Sequence, residues 1–351
     1  MRTLLLLIFV VVAVVAGLLW MAQGVQGPRA FDGSVYSVDG APEPSAQTTS
    51  STLSVVVWNV AWGYGRGSEG RAESKPAEHF ERTLDEMARV LREADADLVF
   101  LQEVDFDCTR SHGTHQARVL AREGGYPFVA EATSWVANWV PFPYWPPSAQ
   151  FGRMRSGGAV LSRYPIEHNE VTWLPKPDEN PFWYNLFSPF RYHQEVGIRW
   201  HGAPVTLFNA HLEAFSVSNR QDQASRLVDA ILQAPRPLLV GGDLNALPPE
   251  ADPRSGFEDE PEVSYENDRT VALLRSVEDL RDAFPPERYD ADPEEFATFP
   301  AHAPNRKLDH LLFSPEFETL EARVLRSEAG ELSDHLPLLV RLRPARPRPV
   351  D

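Results

Sequence analysis

Apolar positions along the chain fall into three regimes. The first is an unbroken run from Leu4 to Met21, eighteen residues without a charge and preceded by Arg2. As a helix it would span about 27 Å, close to the thickness of a bilayer core. It is apolar on every face, unlike the one-sided pattern of a surface helix. Residues 1–24 therefore predict a signal or transmembrane anchor. The second regime, 25–52, is rich in Gly, Pro, Ser, Thr and Ala without periodicity and predicts a disordered linker. The third, 53–343, predicts the folded unit, and the Pro/Arg-rich residues 344–351 predict a frayed tail.

Within the folded unit, short β-type runs end in polar residues: Leu53–Trp58, Asp97–Leu101, Gly158–Leu161, Val205–Asn209, Leu238–Val240, Leu308–Phe313 and Leu336–Leu342. Over Pro76–Ala94, Phe80, Leu84, Met87, Ala88 and Leu91 recur three or four apart, and Pro76 suits a helix start. A second helix is predicted over Asn219–Gln233, after the run leading to His211. Strands apolar on both faces with helices between them predict two packed sheets covered by helices, an α/β sandwich.

Composition narrows the function. The single cysteine, Cys108, excludes a disulfide framework and a multi-cysteine zinc site. A net charge of −17 opposes electrostatic steering toward nucleic acid, although a divalent cation can reverse the sign of a cleft locally. No positive charge follows Arg2 until Arg29, which predicts that the remainder lies outside the cytoplasm. Ala22-Gln23-Gly24 offers small residues of a cleavage site. The chain is thus expected to be membrane-anchored, or secreted if that segment is removed.

Candidate chemistry sits where the strands end. Asn59, Glu103, His211, Asp243 with Asn245, Asp309 with His310, and Asp334 with His335 each follow an apolar run. Strand ends of a layered α/β fold share a rim, so such residues can converge. Asn or Asp after a strand is more often a turn former, but six sites with this residue set are hard to obtain from turns alone.

These segments, Val57-Trp-Asn59, Phe100-Leu-Gln-Glu103, Gly157–Ile166, Asn209–Glu213, Gly242-Asp-Leu-Asn245, Leu308-Asp-His310 and Ser333-Asp-His-Leu-Pro337, resemble the endonuclease/exonuclease/phosphatase superfamily. The resemblance implies a four-layer sandwich of two mixed β-sheets flanked by helices, and Mg²⁺-assisted attack of water on phosphorus, with Mn²⁺ as the alternative cation. It implies that Glu103 is the principal metal ligand, supported by the amide oxygen of Asn59, with Asp334 as a ligand or second-metal contact. His335 would contact the scissile phosphate and move a proton, its tautomer fixed by Asp309. His211 would be the second imidazole, Asp243 would orient or activate water, and Asn245 would donate to the phosphate. His310 reads as structural, and Gly157-Gly158 as close backbone packing.

Two proline- and aromatic-rich stretches, 135–151 and 173–192, deny a regular helix or central strand. They read either as an apolar lip beside the rim or as a mini-core in which the loops cover each other. Glu258–Glu262 reads as a solvated acidic loop. The expected activity is hydrolysis of a phosphodiester, phospholipid-type or other phosphorylated substrate, by a monomer held at a membrane. An exported nuclease and a catalytically silent binding protein on the same fold are the alternatives, with nucleic acid disfavoured by charge.

Overall fold

Leu53–Asn59 is buried at all seven positions, which a strand achieves only when both its faces are covered. Alternation then sorts its side chains. Val55 and Val57 pack toward Val196, Leu207 and Leu311 of a facing sheet. Val56 and Trp58 pack toward Leu84, Met87 and Leu91 of a covering helix. Each such Val or Leu contributes about 1.5–3 kcal/mol on burial.

The computed structural model describes residues 1–22, 29–41, 51–65 and 73–345. The described strands form two seven-stranded sheets. Across the first run β1 (Ala30–Asp32), β7 (Ile166–Trp173), β8 (Tyr192–Trp200), β9 (Ala203–His211), β10 (Leu238–Asp243), β12 (Asp309–Phe313) and β11 (Arg281–Asp282). Across the second run β13 (Phe317–Val324), β14 (Leu338–Pro344), β3 (Leu53–Asn59), β4 (Leu98–Asp105), β6 (Gly152–Ser162), β5 (Phe128–Val140) and β2 (Ser34–Ser37). β9 is parallel to β10, and β3 to β4; the other pairs are antiparallel, so both sheets are mixed.

Arg2–Met21 forms α1, an apolar helix without a buried residue and long enough to cross a membrane. α2 (Ala77–Ala94) follows Pro76 and buries Phe80, Leu84, Met87, Ala88 and Leu91, the five periodic positions. With α3 (Gln116–Gly124) it covers the second sheet. α4 is a short helix, Phe182–Phe187. α5 (Val217–Gln233) starts two residues earlier than periodicity predicts, because Ser216 accepts the Asn219 N–H and caps it. α5 and α6 (Thr270–Arg275) cover the first sheet, completing four layers.

Four expectations need correction. The linker expected over 25–52 carries β1 and β2; its residues 25–28 and 42–50 lie outside the described residues. Composition could not reveal this, because both strands are held by unpaired sheet edges rather than by their own apolar pattern. β1 pairs with β7, β2 pairs with β5, and Tyr36 donates to Glu131 at 2.6 Å. The stretch 135–151 begins as strand, since its prolines start only at Pro141 and are confined to the β5–β6 hairpin tip. The stretch 173–192 contains α4, which begins after Pro181, a residue suited to a helix start. At the other end, Pro344 still belongs to β14 and Ala345 donates to Glu316 O, while 346–351 lie outside the described residues.

Arg220 of α5 is buried against Asp268, Nη2 to Oδ2 2.8 Å, and also donates to Glu213 O and Ala214 O. Asp268→Ala would leave this cation buried without its carboxylate. Its unfolding free energy in urea should fall by about 3–5 kcal/mol; a loss below about 1 kcal/mol would show that the two carbonyls suffice.

Candidate active site

Strand register assembles half of the site. Asp243 on β10 is level with His211 on β9 and with Asp309 on β12, so three adjacent strands end in a row of His, Asp and Asp. The second sheet supplies Asn59 at the end of β3 and Glu103 near the end of β4. The β4–β6 ladder slips between Leu101 and Val104, and Glu103 has φ +54°. Such a bulge re-aims one side chain, here the glutamate into the cleft, while its neighbour Gln102 stays buried. Asn245, at φ +49°, turns back after β10; its N–H donates to Asp243 Oδ1 at 2.9 Å and its amide to Leu212 O at 3.0 Å.

The Ser333-Asp334-His335 loop is carried to the same place by β3. Trp58 Nε1 donates to His335 O at 3.0 Å, and Ser333 Oγ donates to Asn59 O at 2.7 Å. His335 Nδ1 lies 2.8 Å from Asp309 Oδ2, inside the hydrogen-bond reach expected for a carboxylate that fixes the ring's tautomer. Asn59, Glu103, His211, Asp243, Asn245, Asp334 and His335 line one cleft of about 440 Å³, with Asp309 fully buried behind His335.

One oxygen organises the centre. Asp243 Oδ2 accepts from Asn59 Nδ2 at 2.9 Å and lies 3.5 Å from His211 Nε2 and 3.7 Å from His335 Nε2. Burial pushes the Asp243 carboxyl up to about 6, with the Asp309 charge adding and the His335 charge opposing. Burial also disfavours the charged form of His335, but the Asp309 and Asp243 carboxylates outweigh it and push the imidazole up to about 10. His211 goes the other way: burial, then the Arg191 and His335 cations, hold it well below the usual histidine range. A cationic and a neutral imidazole thus flank one carboxylate.

Asn59 is present but oriented differently from expectation. Its Oδ1 accepts the Ala61 N–H at 3.0 Å, and its amide nitrogen faces Asp243 and, at 3.4 Å, Glu103. Ligation through Oδ1 would require the amide to turn over. Among the described residues Glu103 has no ion pair, so an anionic oxygen of the cleft is left for a cation. Asp243, Asp309 and His335 offer ligand atoms within 4.8 Å of one another and could also hold one. Occupation of that group would compete with the Asp309–His335 hydrogen bond. The carboxylate-rich donor set, with no cysteine in the cleft, suits a hard oxygen-seeking ion.

Arg191 was not singled out by the sequence. It precedes β8, and the Tyr192–His211 pairing brings its Nη1 to 2.5 Å from His211 Nε2 on the cleft wall. Only β8–β9 register identifies it. The loop 258–262, expected to be solvated, instead sends Asp259 and Glu260 to the buried Arg306, and both line the cleft. His310 accepts from Lys307 Nζ and donates to Ala246 O, each at 2.8 Å, a wholly internal chain. Gly158 lies where any Cβ would collide with the Tyr192 hydroxyl, so it serves backbone packing.

The sequence profile of the endonuclease/exonuclease/phosphatase family matches residues 56–335. No curated protein matches the chain. Among solved structures, an endonuclease/exonuclease/phosphatase protein of Beutenbergia cavernae is similar at 22% identity and TM-score 0.58, over 84% of this chain and 72% of that one. A humanized TDP2 of D. rerio is similar at 16% identity and TM-score 0.55, over 84% of this chain and 100% of that one. The D. rerio TDP2 complex with a single-strand DNA product is similar at 14% and 0.54, over 83% of this chain and 99% of that one. These likenesses establish the shared sandwich. The profile match spans the interval that carries every cleft residue from Asn59 to His335, and on that ground the chain belongs to the endonuclease/exonuclease/phosphatase family.

Proposed function

We propose that this chain is a Mg²⁺-dependent phosphodiesterase, with Mn²⁺ as the alternative cation. Its substrate in this reading is phospholipid-type or otherwise phosphorylated, and it acts outside the cytoplasm. Family membership supports phosphoester hydrolysis. The carrying observation is the convergence of Glu103, Asp243 and the Asp309–His335 pair on one open cleft. The net charge of −17 and the apolar α1 favour a substrate at a membrane over a polyanion in solution. The TDP2 complex with DNA supports a nuclease as the second reading.

In this reading Glu103 holds the cation with help from Asp334, and Asn59 joins after its amide turns over. A bound divalent cation supplies charge neutralisation at the phosphoryl oxygens. The other roles fall to the chain itself. Asp243, a carboxyl held near neutrality, accepts a proton from the attacking water. The water oxygen bonds to phosphorus as the opposite P–O bond breaks. His335, held cationic by Asp309, donates to a phosphoryl oxygen and can pass its proton to the leaving oxygen. Asn245 and Arg191 bind the non-bridging oxygens; Arg191 brings the charge, and one of Asn245's two amide hydrogens is already used by Leu212 O.

Glu103→Gln keeps the volume and removes the anionic oxygen. Turnover of a soluble phosphodiester should fall at least about 100-fold, and Mn²⁺ binding followed by electron paramagnetic resonance should weaken in parallel. Near wild-type turnover at saturating Mg²⁺ would remove Glu103 as principal ligand.

Asp309→Asn leaves the ring in place without the carboxylate that holds it protonated. Steady-state kinetics should show kcat reduced roughly 10²–10⁴-fold with KM nearly unchanged. A rise confined to KM would assign Asp309 to binding instead.

A further inference from the structure

Large aromatic side chains are normally covered, yet six are exposed on the β5–β6 hairpin tip and α4. The β5–β6 hairpin tip presents Phe142, Tyr144 and Trp145, the last at 78% exposure. α4 presents Phe182, Trp183 and Tyr184, with Phe182 at 83%. α4 and the base of the hairpin are tied together. Trp135 Nε1 donates to Phe187 O, the Phe190 N–H donates to Ser134 O, and Lys176 Nζ donates to Asn185 O and Ser188 O. Inner aromatics such as Trp135 and Phe151 pack together, and Phe142 leans on Phe151 at a centroid distance of 5.4 Å, while Tyr144, Trp145 and Phe182 stay mostly exposed. The two stretches are therefore a mini-core at their base and an apolar surface at their tips.

Two connections say what covers that surface. Asn138 on β5 donates to Trp20 O, the last turn of α1, at 2.8 Å. Trp145 lies seven residues farther along the chain, so its Cα is within about 25 Å of that of Asn138. On the other side the rim reaches the cleft. The stretch that carries α4 runs on to Arg191 in the cleft wall, and Ser216 Oγ donates to Glu179 of that stretch. Phe215, also exposed, lines the cleft itself.

We propose that this aromatic rim seats in the headgroup layer of a phospholipid bilayer and turns the cleft mouth toward it. The inference rests on the reading of the chain as a hydrolase of phospholipid-type diesters. α1 exposes apolar surface on all sides and is stable in water only if lipid takes it up. Trp and Tyr carry an apolar body and a polar tip, which suits the boundary layer rather than the bilayer interior. A net charge of −17 gives anionic lipid no attraction, so seating comes from apolar burial and should be insensitive to salt.

The test uses the full chain in phosphatidylcholine vesicles. Trp145→Cys, Phe182→Cys and Leu320→Cys are each labelled with an environment-sensitive fluorophore; the native Cys108 is buried. Leu320 is an exposed control on β13, five strand steps from β5 or roughly 24 Å. A lipid nitroxide near the headgroup should quench the labels at 145 and 182 several-fold more than the label at 320, in low and high salt alike. The combined variant Tyr144→Ser, Trp145→Ser, Phe182→Ser, Trp183→Ser should lower hydrolysis of a vesicle-embedded diester about tenfold and leave a soluble short-chain diester within about twofold. Equal quenching at all three positions overturns the proposal while leaving the hydrolase reading intact. Strong quenching at 145 and 182 with no turnover of any diester supports the rim and removes the hydrolase reading. A lowered melting temperature with both activities falling together makes the rim a mini-core and overturns the proposal. Weakened binding of a single-stranded oligonucleotide by the Ser variant, without lipid quenching, overturns it in favour of base stacking.

Discussion

The site exists because two sheets are held in one register across their interface. Asn59 and Glu103 come from one sheet and His211, Asp243 and Asp309 from the other, so a slide between the sheets would dismantle the cleft. Buried amides prevent that slide. Gln102 donates to Asn209 Oδ1 at 2.7 Å, and Asn209 donates to Leu101 O, Ala159 O and Gln194 Oε1. Gln194 continues the chain to Asn169 and Ala130 O. Apolar contacts are non-directional and tolerate small shifts, whereas a buried amide that loses its partner costs about 1–3 kcal/mol. The network therefore fixes position more than it adds stability.

On that frame the site stores electrostatic and conformational tension. Asp243 and Asp309 are fully buried carboxylates, tolerated because His335 stands between them as a cation and Asn59 donates to one of them. Glu103 and Asn245 adopt left-handed backbone, a conformation costing about 1–3 kcal/mol each that persists only when the surroundings enforce it. Both are the residues whose side chains must leave the ordinary strand direction to face the cleft. Arg220, buried between Asp268 and two carbonyls, fixes the 213–214 segment, so one ion pair serves both stability and the cleft wall.

The N-terminal region shows how edges recruit weakly patterned chain. β1 and β2 attach to different sheets across Gly33, where a Cβ would collide with the Asn169 amide. The same Asn169 amide donates to Ser34 O and Glu131 O, both at 3.0 Å. Backbone pairing at the sheet edges holds these strands, with Phe31 packed on Trp173 and Tyr36 against the second sheet's core.

What the sequence determined by itself was what local pattern encodes. Short apolar runs marked β3, β4, β9, β10 and β12, and three-or-four spacing marked α2, because core-facing positions must be apolar wherever elements pack. Polar residues at the ends of those runs marked Glu103, His211, Asp243, Asp309 and His335, and the Asp309–His335 contact followed from the family resemblance. Tertiary structure decided the rest. The orientation of the Asn59 amide, the bulge at Glu103, the arrival of Arg191 beside His211 and the folding of Asp259 and Glu260 onto Arg306 all depend on partners far away in sequence. None leaves a periodic trace, since a hydrogen bond or ion pair is set by where two strands register rather than by the composition of either one.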